Sequence, residues 1–169
     1  MLNEHDFKNL VRNAPLFAID LVVLNDSGEI LLGQRKNAPA KGDWFVPGGR
    51  VHKNEPLADA FKRISQVELG QSFEFNQAWS LGLYDHFYDD SVFGKEISTH
   101  YVNAPYLIRQ QNTQQLDLPT DQHQDYRWVS MEQMEQDNTV HKNSKVFLGA
   151  LKNTIKNCHV GIDPVSTKG

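Results

Sequence analysis

The sequence predicts a single domain of the α/β or α+β class, an α/β/α sandwich built around a mixed β-sheet. Three observations predict this class. Helical and strand-like patterns alternate along the chain, turn residues join some strands directly as hairpins, and longer connections between other strands imply crossovers. The domain is expected to span 1–157, and 158–169 is expected to form a loose tail.

Apolar spacing and turn residues locate the elements. Apolar residues three and four positions apart indicate helices, β-branched and aromatic runs indicate strands, and Gly, Pro, Asn and Asp mark the turns. In chain order they predict a helix over 4–12, two strands within 17–35, a brief strand over 44–46, a helix that stops at Gly70, two long strands over 73–88 and 97–109, a short strand over 125–130, a brief helix from Met131 and a last helix over 143–153.

The early turn and the central helix have the clearest signals. The Asn-Asp-Ser-Gly stretch at 25–28 lies between two β-rich runs and predicts a hairpin. Asn54 or Glu55 is expected to cap the central helix, with Pro56 tolerated in its first turn. Gly70 is expected to end that helix, because glycine adopts the left-handed conformation of a helix C-terminus without strain.

The composition is that of an ordinary soluble globular protein, with 39% hydrophobic and 22% charged residues among 169. A net charge of -4 predicts no broad basic surface for nucleic acid. The single cysteine, Cys158, excludes a disulfide framework within one chain. No apolar run is long enough to span a membrane, and the polar N-terminal stretch is unlike a signal peptide, so we expect a cytoplasmic protein.

A carboxylate interrupts the apolar stripe of the central helix. Leu57, Phe61 and Ile64 are spaced to face inward, and Glu68 occupies the next position on that stripe. A buried carboxylate is costly unless it is paired or bound to a metal. Glu68 could form a salt bridge with an arginine or turn outward at the helix end. Alternatively, together with a backbone carbonyl of the glycine turn at 48–49, it could bind Mg²⁺ or Mn²⁺, which prefer hard oxygen ligands.

The helix and the turn before it resemble the Nudix box, whose pattern is G-x5-E-x7-R-E-U-x-E-E-x-G-U with U an aliphatic residue. The matching places are Gly49, Glu55, Arg63, Glu68 and Gly70. The departures are Ile64 and Val67 in place of two glutamates, and Ser65 and Gln71 in two aliphatic places. Nudix hydrolases use clustered glutamates to hold several Mg²⁺ ions and to activate water at phosphorus. The box of this chain keeps one glutamate of that cluster.

One branch of the Nudix family, the GDP-mannose mannosyl hydrolases, departs from the box in the same way. The resemblance to this branch covers roughly residues 1–150. It is carried by WFVPGGRV at 44–51, DHFYDD at 85–90, THYV at 99–102, DQHQDYRW at 121–128 and HKNSKVF at 141–147. The resemblance implies a Mg²⁺-dependent hydrolysis of GDP-mannose and GDP-glucose to GDP and free hexose. Water attacks the anomeric carbon with inversion, and the C–O bond breaks.

The resemblance also implies a metal site and a base. One Mg²⁺ per subunit, or Mn²⁺ in its place, would be held by the Gly48 carbonyl, Glu68 and Gln122. His123 would be the base that takes a proton from water, a role that suits an imidazole because its pKa lies near neutrality. The surface or structural role that most histidines have is the alternative for His123.

Further residues match the substrate site of the branch. Arg35 and Arg50 would bind and stabilise the leaving diphosphate, since the guanidinium fork fits phosphate oxygens. His86 would stabilise the diphosphate, Tyr101 would hydrogen-bond a phosphate or the sugar, and Asp20 would face the sugar. Strand alternation could instead turn Asp20 outward, Tyr101 could pack in the core, and each arginine could be a solvated surface charge. The remaining pocket-rim candidates are Asp85, Tyr88 and His100.

The expected partners follow from the same resemblance. They are a small-molecule nucleotide sugar and a second copy of the chain in a homodimer, with no nucleic acid and no membrane. Phe7 and Leu10 are expected at an interface or at the wall that binds the base. Arg63 is expected to support the site by binding the loop glutamate, Glu55.

Two rival functions stay open at this point. The first is a Nudix pyrophosphatase that cleaves a P–O bond, which the loss of carboxylates at Ile64 and Val67 disfavours. The second is a non-catalytic sensor of nucleotide sugars. A sensor would explain the thinned box but not the adjacent Gln122 and His123.

Overall fold

A computed structural model describes residues 2–37, 40–110, 116–121 and 123–158. Its regular elements within these residues are α1 (Glu4–Asn13), β1 (Leu16–Leu24), β2 (Ile30–Arg35), β3 (Trp44–Phe45), β4 (Gly48–Arg50), α2 (Leu57–Leu69), β5 (Trp79–Ser80), β6 (Tyr84–Tyr88), β7 (Thr99–Arg109), β8 (His123–Val129), α3 (Met131–Gln136) and α4 (Leu148–Cys158). Apart from Cys158, which ends α4, the predicted C-terminal tail lies outside the described residues.

β1 and β7 form the centre of a mixed sheet. They run parallel, with Leu16 opposite Tyr101 and Leu24 opposite Arg109. The other strand pairs among the described residues are antiparallel. On its second edge β1 pairs with β4 near its start and with β2 at its end. β2 also pairs with β3 and β8, whereas β7 pairs with β5 and β6, so the sheet extends from one shared central pair.

Helices cover both faces of this sheet. Successive side chains of a strand point to opposite faces. Ile19 of β1 accordingly packs with Phe61 of α2 on one face, and Val22 packs with Leu151 of α4 on the other. The arrangement confirms the predicted α/β/α sandwich with a mixed sheet. Within the described part of the chain, no helix is long and apolar enough to cross a membrane.

The central helix begins one or two residues later than its predicted caps imply. Pro56 occupies the N-cap position and no side chain caps α2. Asn54 instead turns the backbone at φ 63°, and the Glu55 carboxylate is bound by Arg63. Leu57 is 41% exposed, so the buried stripe begins at Phe61 rather than at Leu57.

Two other predicted boundaries were wrong. The predicted strand over 73–88 is divided into a 3-10 turn, Phe75–Gln77, and the strands β5 and β6, because Gly82 turns the chain at φ 108° between them. The two strands then pair with different stretches of β7. The predicted helix over 143–153 starts only at Leu148, after a separate 3-10 turn, Lys142–Ser144.

Gly70 ends α2 in the left-handed conformation, as predicted, and it also has a crowded surrounding. A Cβ added at Gly70 (φ 69°) would lie 2.0 Å from the Asp117 carbonyl oxygen, whereas one added at Gly28 (φ 76°) would meet nothing within 4 Å.

We expect Gly28→Ala to lower the free energy of unfolding by about 1 kcal/mol through backbone strain alone. Gly70→Ala should lower it by roughly 3 kcal/mol or more, since the overlap adds to the strain.

Urea unfolding of both variants, followed by circular dichroism, checks this difference. The two glycines have similar positive φ angles, and only a Cβ at position 70 would overlap with another residue. Equal losses in the two variants would contradict the close contact between the end of α2 and Asp117.

Candidate active site

A cavity of about 320 Å³ is lined by side chains of the sheet and by the last turns of α2. It brings together every predicted site residue that the structure describes, although these residues come from seven different elements. The predicted residues that line it are Asp20, Arg35, Gly48, Arg50, Glu68, His86, Tyr101 and His123. Gln122, the third predicted metal ligand, lies outside the described residues.

The most buried polar contact of the cavity joins Glu68 and His123. The Nε2 atom of His123 lies 3.2 Å from Oε2 of Glu68, and the two side chains are 6% and 8% exposed, His123 first. Glu68 therefore does not turn outward, and its polar partner is a histidine rather than an arginine. The pair ties α2 to the start of β8.

The backbone of β2 leaves room for the His123 ring. A Cβ added at Gly33 would lie 2.4 Å from Nδ1 of His123, so the ring packs directly on the glycine backbone. The pairing of β2 and β8 shifts register between Gly33 and Arg35, and this shift sets Arg35 opposite His123. Within the described residues Nδ1 has no hydrogen-bond partner, which leaves Nε2 as the nitrogen on the Glu68 side.

Gly48 and Asp20 are neighbours across β4 and β1. Oδ1 of Asp20 would lie 2.5 Å from a Cβ at position 48, so only glycine fits there. Leu21 N–H donates to the Pro47 carbonyl at 2.8 Å, and Asp20 and Gly48 form the next pair of the ladder. Since hydrogen-bonded and non-hydrogen-bonded pairs alternate in an antiparallel ladder, the Gly48 carbonyl points away from β1.

Two oxygen ligands that line the cavity fit one divalent cation. The Glu68 carboxylate and the Gly48 carbonyl are hard oxygen ligands of the kind that Mg²⁺ and Mn²⁺ prefer. The two positions where the box of this chain lacks a glutamate provide no further metal ligand, because Ile64 is buried against Gly49 and Val67 is apolar. Across the described ranges, no group of three or more His, Cys, Asp or Glu side chains is placed to hold a metal.

Asp20 lies on the cavity wall and not on an outward face. Burial raises the pKa of its carboxyl to about 7, an effect that a hydrogen bond from Asn103 and the charge of Arg35 oppose and the charge of Glu68 reinforces. Asn103 was missed by the sequence analysis. It also lines the cavity, and its Oδ1 has no partner among the described residues. The available signal was a polar residue two positions after Tyr101 in an otherwise apolar strand.

Arg35 and Arg50 are supported by aromatic rings rather than by acids. The Cζ atom of Arg35 lies 5.3 Å from the centre of the Phe45 ring, and that of Arg50 lies 4.1 Å from the centre of Phe7. In the part of the chain that the structure describes, neither arginine has a carboxylate within 4.0 Å. Both positive charges are therefore available to an anion that enters the cavity.

Arg63 has the opposite arrangement. Its Nε and a terminal nitrogen donate to the two carboxylate oxygens of Glu55 at 2.6 and 2.8 Å, and the same terminal nitrogen donates to the Arg50 carbonyl at 2.8 Å. The hydrogen bond and charge of Arg63 lower the pKa of Glu55 to about 2. These contacts fix the loop between β4 and α2, in line with the supporting role expected for Arg63.

His86 and Tyr101 are opposite each other on β6 and β7 and face the cavity. Burial, reinforced by the nearby His141, lowers the pKa of His86 to about 4, so the imidazole is neutral at neutral pH and is able to hydrogen-bond without carrying a charge. Its Nε2 has no partner among the described residues. Burial raises the pKa of Tyr101, which keeps its hydroxyl protonated and able to donate.

The three rim candidates have different outcomes. Tyr88 lines the cavity. Asp85 and His100 do not line it. The Oδ1 atom of Asp85 lies 3.1 Å from Nε2 of His100, whose ring stacks on the exposed Phe87. Strand alternation explains the difference, because residues 85 and 87 point away from the face that residues 86 and 88 share.

A second, more apolar cavity of about 1120 Å³ adjoins the first. Arg50 and His52 line both cavities. The second is also lined by Phe7 and Leu10 of α1 and by Phe17 of β1. Phe7 and Leu10, expected at an interface or at the wall that binds the base, therefore border a space that continues from the polar cavity.

Comparison with known proteins finds relatives by sequence, among them one from an archaeon. The low-salt glycan biosynthesis protein Agl8 of Haloferax volcanii is 41% identical over 105 residues, which are 62% of this chain and 65% of that protein. The match therefore spans just under two thirds of the length of this relative.

Two solved structures and a family model each cover most of the chain. A MutT protein from Methanosarcina mazei Go1 has a TM-score of 0.68 at 20% identity, covering 85% of this chain and 98% of that one. A MutT Nudix hydrolase from Burkholderia pseudomallei has a TM-score of 0.66 at 28% identity, covering 82% and 99%. The NUDIX domain model matches residues 15–149. With the box on α2 and this fold around it, the chain belongs to the Nudix hydrolase family.

Proposed function

We propose that this chain hydrolyses GDP-mannose or GDP-glucose to GDP and free hexose by attack of water at the anomeric carbon. The observation that carries the proposal is the composition of the cavity. It contains two arginines without acidic partners, but the box helix contributes to it only one carboxylate, Glu68, which lies beside a histidine. This set suits a diphosphate leaving group better than attack at phosphorus, for which the family uses several clustered glutamates.

The diphosphate end of the substrate would be bound by Arg35 and Arg50. Charge develops on the diphosphate as the C–O bond breaks, and the electron pair of that bond passes to a β-phosphate oxygen. Preorganised cations at this position stabilise the transition state more than the ground state. Neutral His86 and protonated Tyr101 would add hydrogen bonds from the adjoining strands.

The water would be activated by His123. Its Nε2 is directed to the cavity side, where it contacts Glu68, and its other ring nitrogen is packed on Gly33. When a water replaces Glu68 at Nε2 and the neutral ring carries its proton on Nδ1, Nε2 would accept a proton from that water while the water oxygen bonds to the anomeric carbon. The proton is then released to solvent, so that one water is consumed for each GDP and hexose formed. Asp20, paired with Asn103, would hold a sugar hydroxyl.

One divalent cation per subunit completes the proposed site. Glu68 and the Gly48 carbonyl fit such an ion, with Gln122 as the further ligand implied by the family resemblance. Mg²⁺ or Mn²⁺ bound there would neutralise part of the negative charge on the diphosphate.

The second cavity suggests where the nucleoside would lie. It is apolar and aromatic, and Arg50 separates it from the polar cavity while lining both. An extended nucleoside diphosphate sugar has the same order of chemistry, with a flat base, a charged centre and a hydroxylated end. We place the guanine beside Phe7 and the hexose beside Asp20.

The relative in Haloferax volcanii supports a sugar-linked substrate, because its name assigns it to glycan biosynthesis. A homodimer is also part of the proposal, by resemblance to the mannosyl hydrolase branch.

The function is tested by hydrolysis of GDP-mannose with Mg²⁺ in ¹⁸O-water. We expect the label in the hexose, with β-mannose as the first anomer formed from the α-linked donor, and unlabelled GDP. Mass spectrometry of both products, with proton NMR for the anomer, provides the measurement. Label in GMP or in a sugar phosphate would mean attack at phosphorus. Binding of GDP-mannose without turnover would favour the sensor, and either result overturns the proposal.

Replacing His123 tests the assignment of the base. His123→Gln keeps a polar group near Glu68 but cannot accept a proton, so kcat should fall by about 10²- to 10⁴-fold with the KM for GDP-mannose little changed. The matched control is His100→Gln, because His100 lies on the outer face of β7 against Phe87. It should retain full turnover. Wild-type turnover in His123→Gln would show that another group is the base.

Replacing Glu68 tests the cation site separately. Glu68→Gln should raise the Mg²⁺ concentration for half-maximal activity by roughly tenfold or more, because a neutral amide is a weaker ligand than a carboxylate. Glu74→Gln is the control, since Glu74 is an exposed residue that pairs with Lys62 at 2.8 Å. An unchanged Mg²⁺ titration in Glu68→Gln would remove Glu68 from the proposed ligands.

A further inference from the structure

The HKNSKVF stretch at 141–147 packs beside the cavity wall, but none of its residues has a role in the proposed chemistry. Its first residue, His141, lies between two aromatic side chains of the cavity wall. The ring of His141 stacks on Phe45 with centres 4.6 Å apart at 20°, and on Tyr88 with centres 5.4 Å apart at 25°. Phe45 and Tyr88 line the polar cavity, whereas His141 does not. His141 is therefore placed to act on the site through other residues.

Hydrogen bonds fix the orientation of this ring. The backbone N–H of His141 donates to the Trp44 carbonyl at 3.1 Å, which joins it to the strand that carries Phe45. Its Nδ1 accepts from the Asn143 backbone N–H at 3.2 Å, so the neutral ring carries its proton on Nε2. The next residue of the turn, Ser144, accepts through Oγ from the Val46 N–H at 3.2 Å. The whole turn is thus fastened to the segment at 44–46.

The same turn also lies beside Tyr88 through a second residue. Asn143 is buried, and its side chain opposes the rise that burial causes in the pKa of Tyr88, although its Nδ2 atom has no hydrogen-bond partner among the described residues. Tyr88 is therefore next to two residues of one short turn, His141 and Asn143, so a displacement of that turn would move this part of the cavity wall.

Tyr88, His141 and Phe45 form a column of stacked rings, and the Arg35 guanidinium lies at its end. Phe45, stacked on His141, lies beneath the Arg35 guanidinium, whose Cζ is 5.3 Å from the ring centre. Arg35 has no carboxylate within 4.0 Å among the residues described, so Phe45 and the cavity itself set where its charge lies. Burial is the main cause that lowers the pKa of His141, with the charges of Lys142 and Arg35 adding to it. A neutral ring in the column does not repel the arginine.

We infer that His141 is a positioning residue: by holding Phe45 and Tyr88 it places the Arg35 guanidinium for binding the diphosphate of the substrate. The inference rests on the proposed function, which assigns Arg35 to the diphosphate. It concerns geometry and not proton transfer, so an aromatic ring without titrating nitrogens should serve nearly as well.

The test measures GDP binding by calorimetry in the presence of Mg²⁺, with the full chain, its His141→Ala and His141→Phe variants, and Lys142→Ala as the neighbouring exposed control. We expect His141→Ala to weaken GDP binding roughly tenfold, since one stacked ring contact is lost and the arginine loses its fixed position. His141→Phe should stay within about threefold of the wild-type chain because the stack is retained. Lys142→Ala should bind as the wild-type chain does.

A double-mutant cycle separates positioning from a merely structural role. If His141 acts through Arg35, then His141→Ala should change GDP affinity by less than about twofold when Arg35 is already alanine. Thermal midpoints measured alongside report any general loss of stability, and binding is compared well below them. Equal losses in the two backgrounds, or wild-type affinity in His141→Ala, would overturn the inference and leave the proposed function intact. Failure of the wild-type chain to bind GDP would overturn both.

Discussion

The buried contact between Glu68 and His123 is the constraint on which the site depends. It joins the last turn of α2 to the first residue of β8, two elements that otherwise belong to different layers. Both side chains are almost fully enclosed, and a buried ionisable group is stable only when its polar atoms have partners. His123 packs on Gly33, and Glu68 lies two residues before the C-cap of α2 at Gly70, so a strand backbone and a helix end together locate the contact.

The cavity uses aromatic rings where many anion sites use hydrogen-bonded acids. Arg35 and Arg50 each lie over a phenylalanine ring, whereas Arg63 is hydrogen-bonded to the Glu55 carboxylate. A ring limits the positions of a guanidinium without neutralising it, whereas a carboxylate does both. The difference distinguishes arginines that can meet an anionic ligand from one that supports a loop. Because all three residues are arginines, the residue type alone does not show which of them is available to an anion.

The layered fold was predictable because it depends on local patterns, whereas most of the residues that line the cavity were expected only from the resemblance to one branch of the family. The hairpin at 25–28, the stop at Gly70 and the interrupted stripe at Glu68 each need only a few neighbouring residues to be recognised. The break near Gly82 and the position of Asn103 depend on which strand pairs with which part of β7, and a single sequence does not encode that register visibly. The failure of Asn54 as a cap has a similar cause, since Arg63 holds the loop from eight positions beyond Glu55.

The two uncompensated arginines have a consequence for the approach of a ligand. The chain carries a net charge of -4, so an anion far from the surface meets a field of the wrong sign, while inside the cavity it meets the cations Arg35 and Arg50. Dissolved salt screens charges beyond a Debye length of about 8 Å at physiological ionic strength. Added salt therefore weakens the distant repulsion first and the close attraction only later. The rate of encounter and the strength of retention should respond to ionic strength in opposite directions.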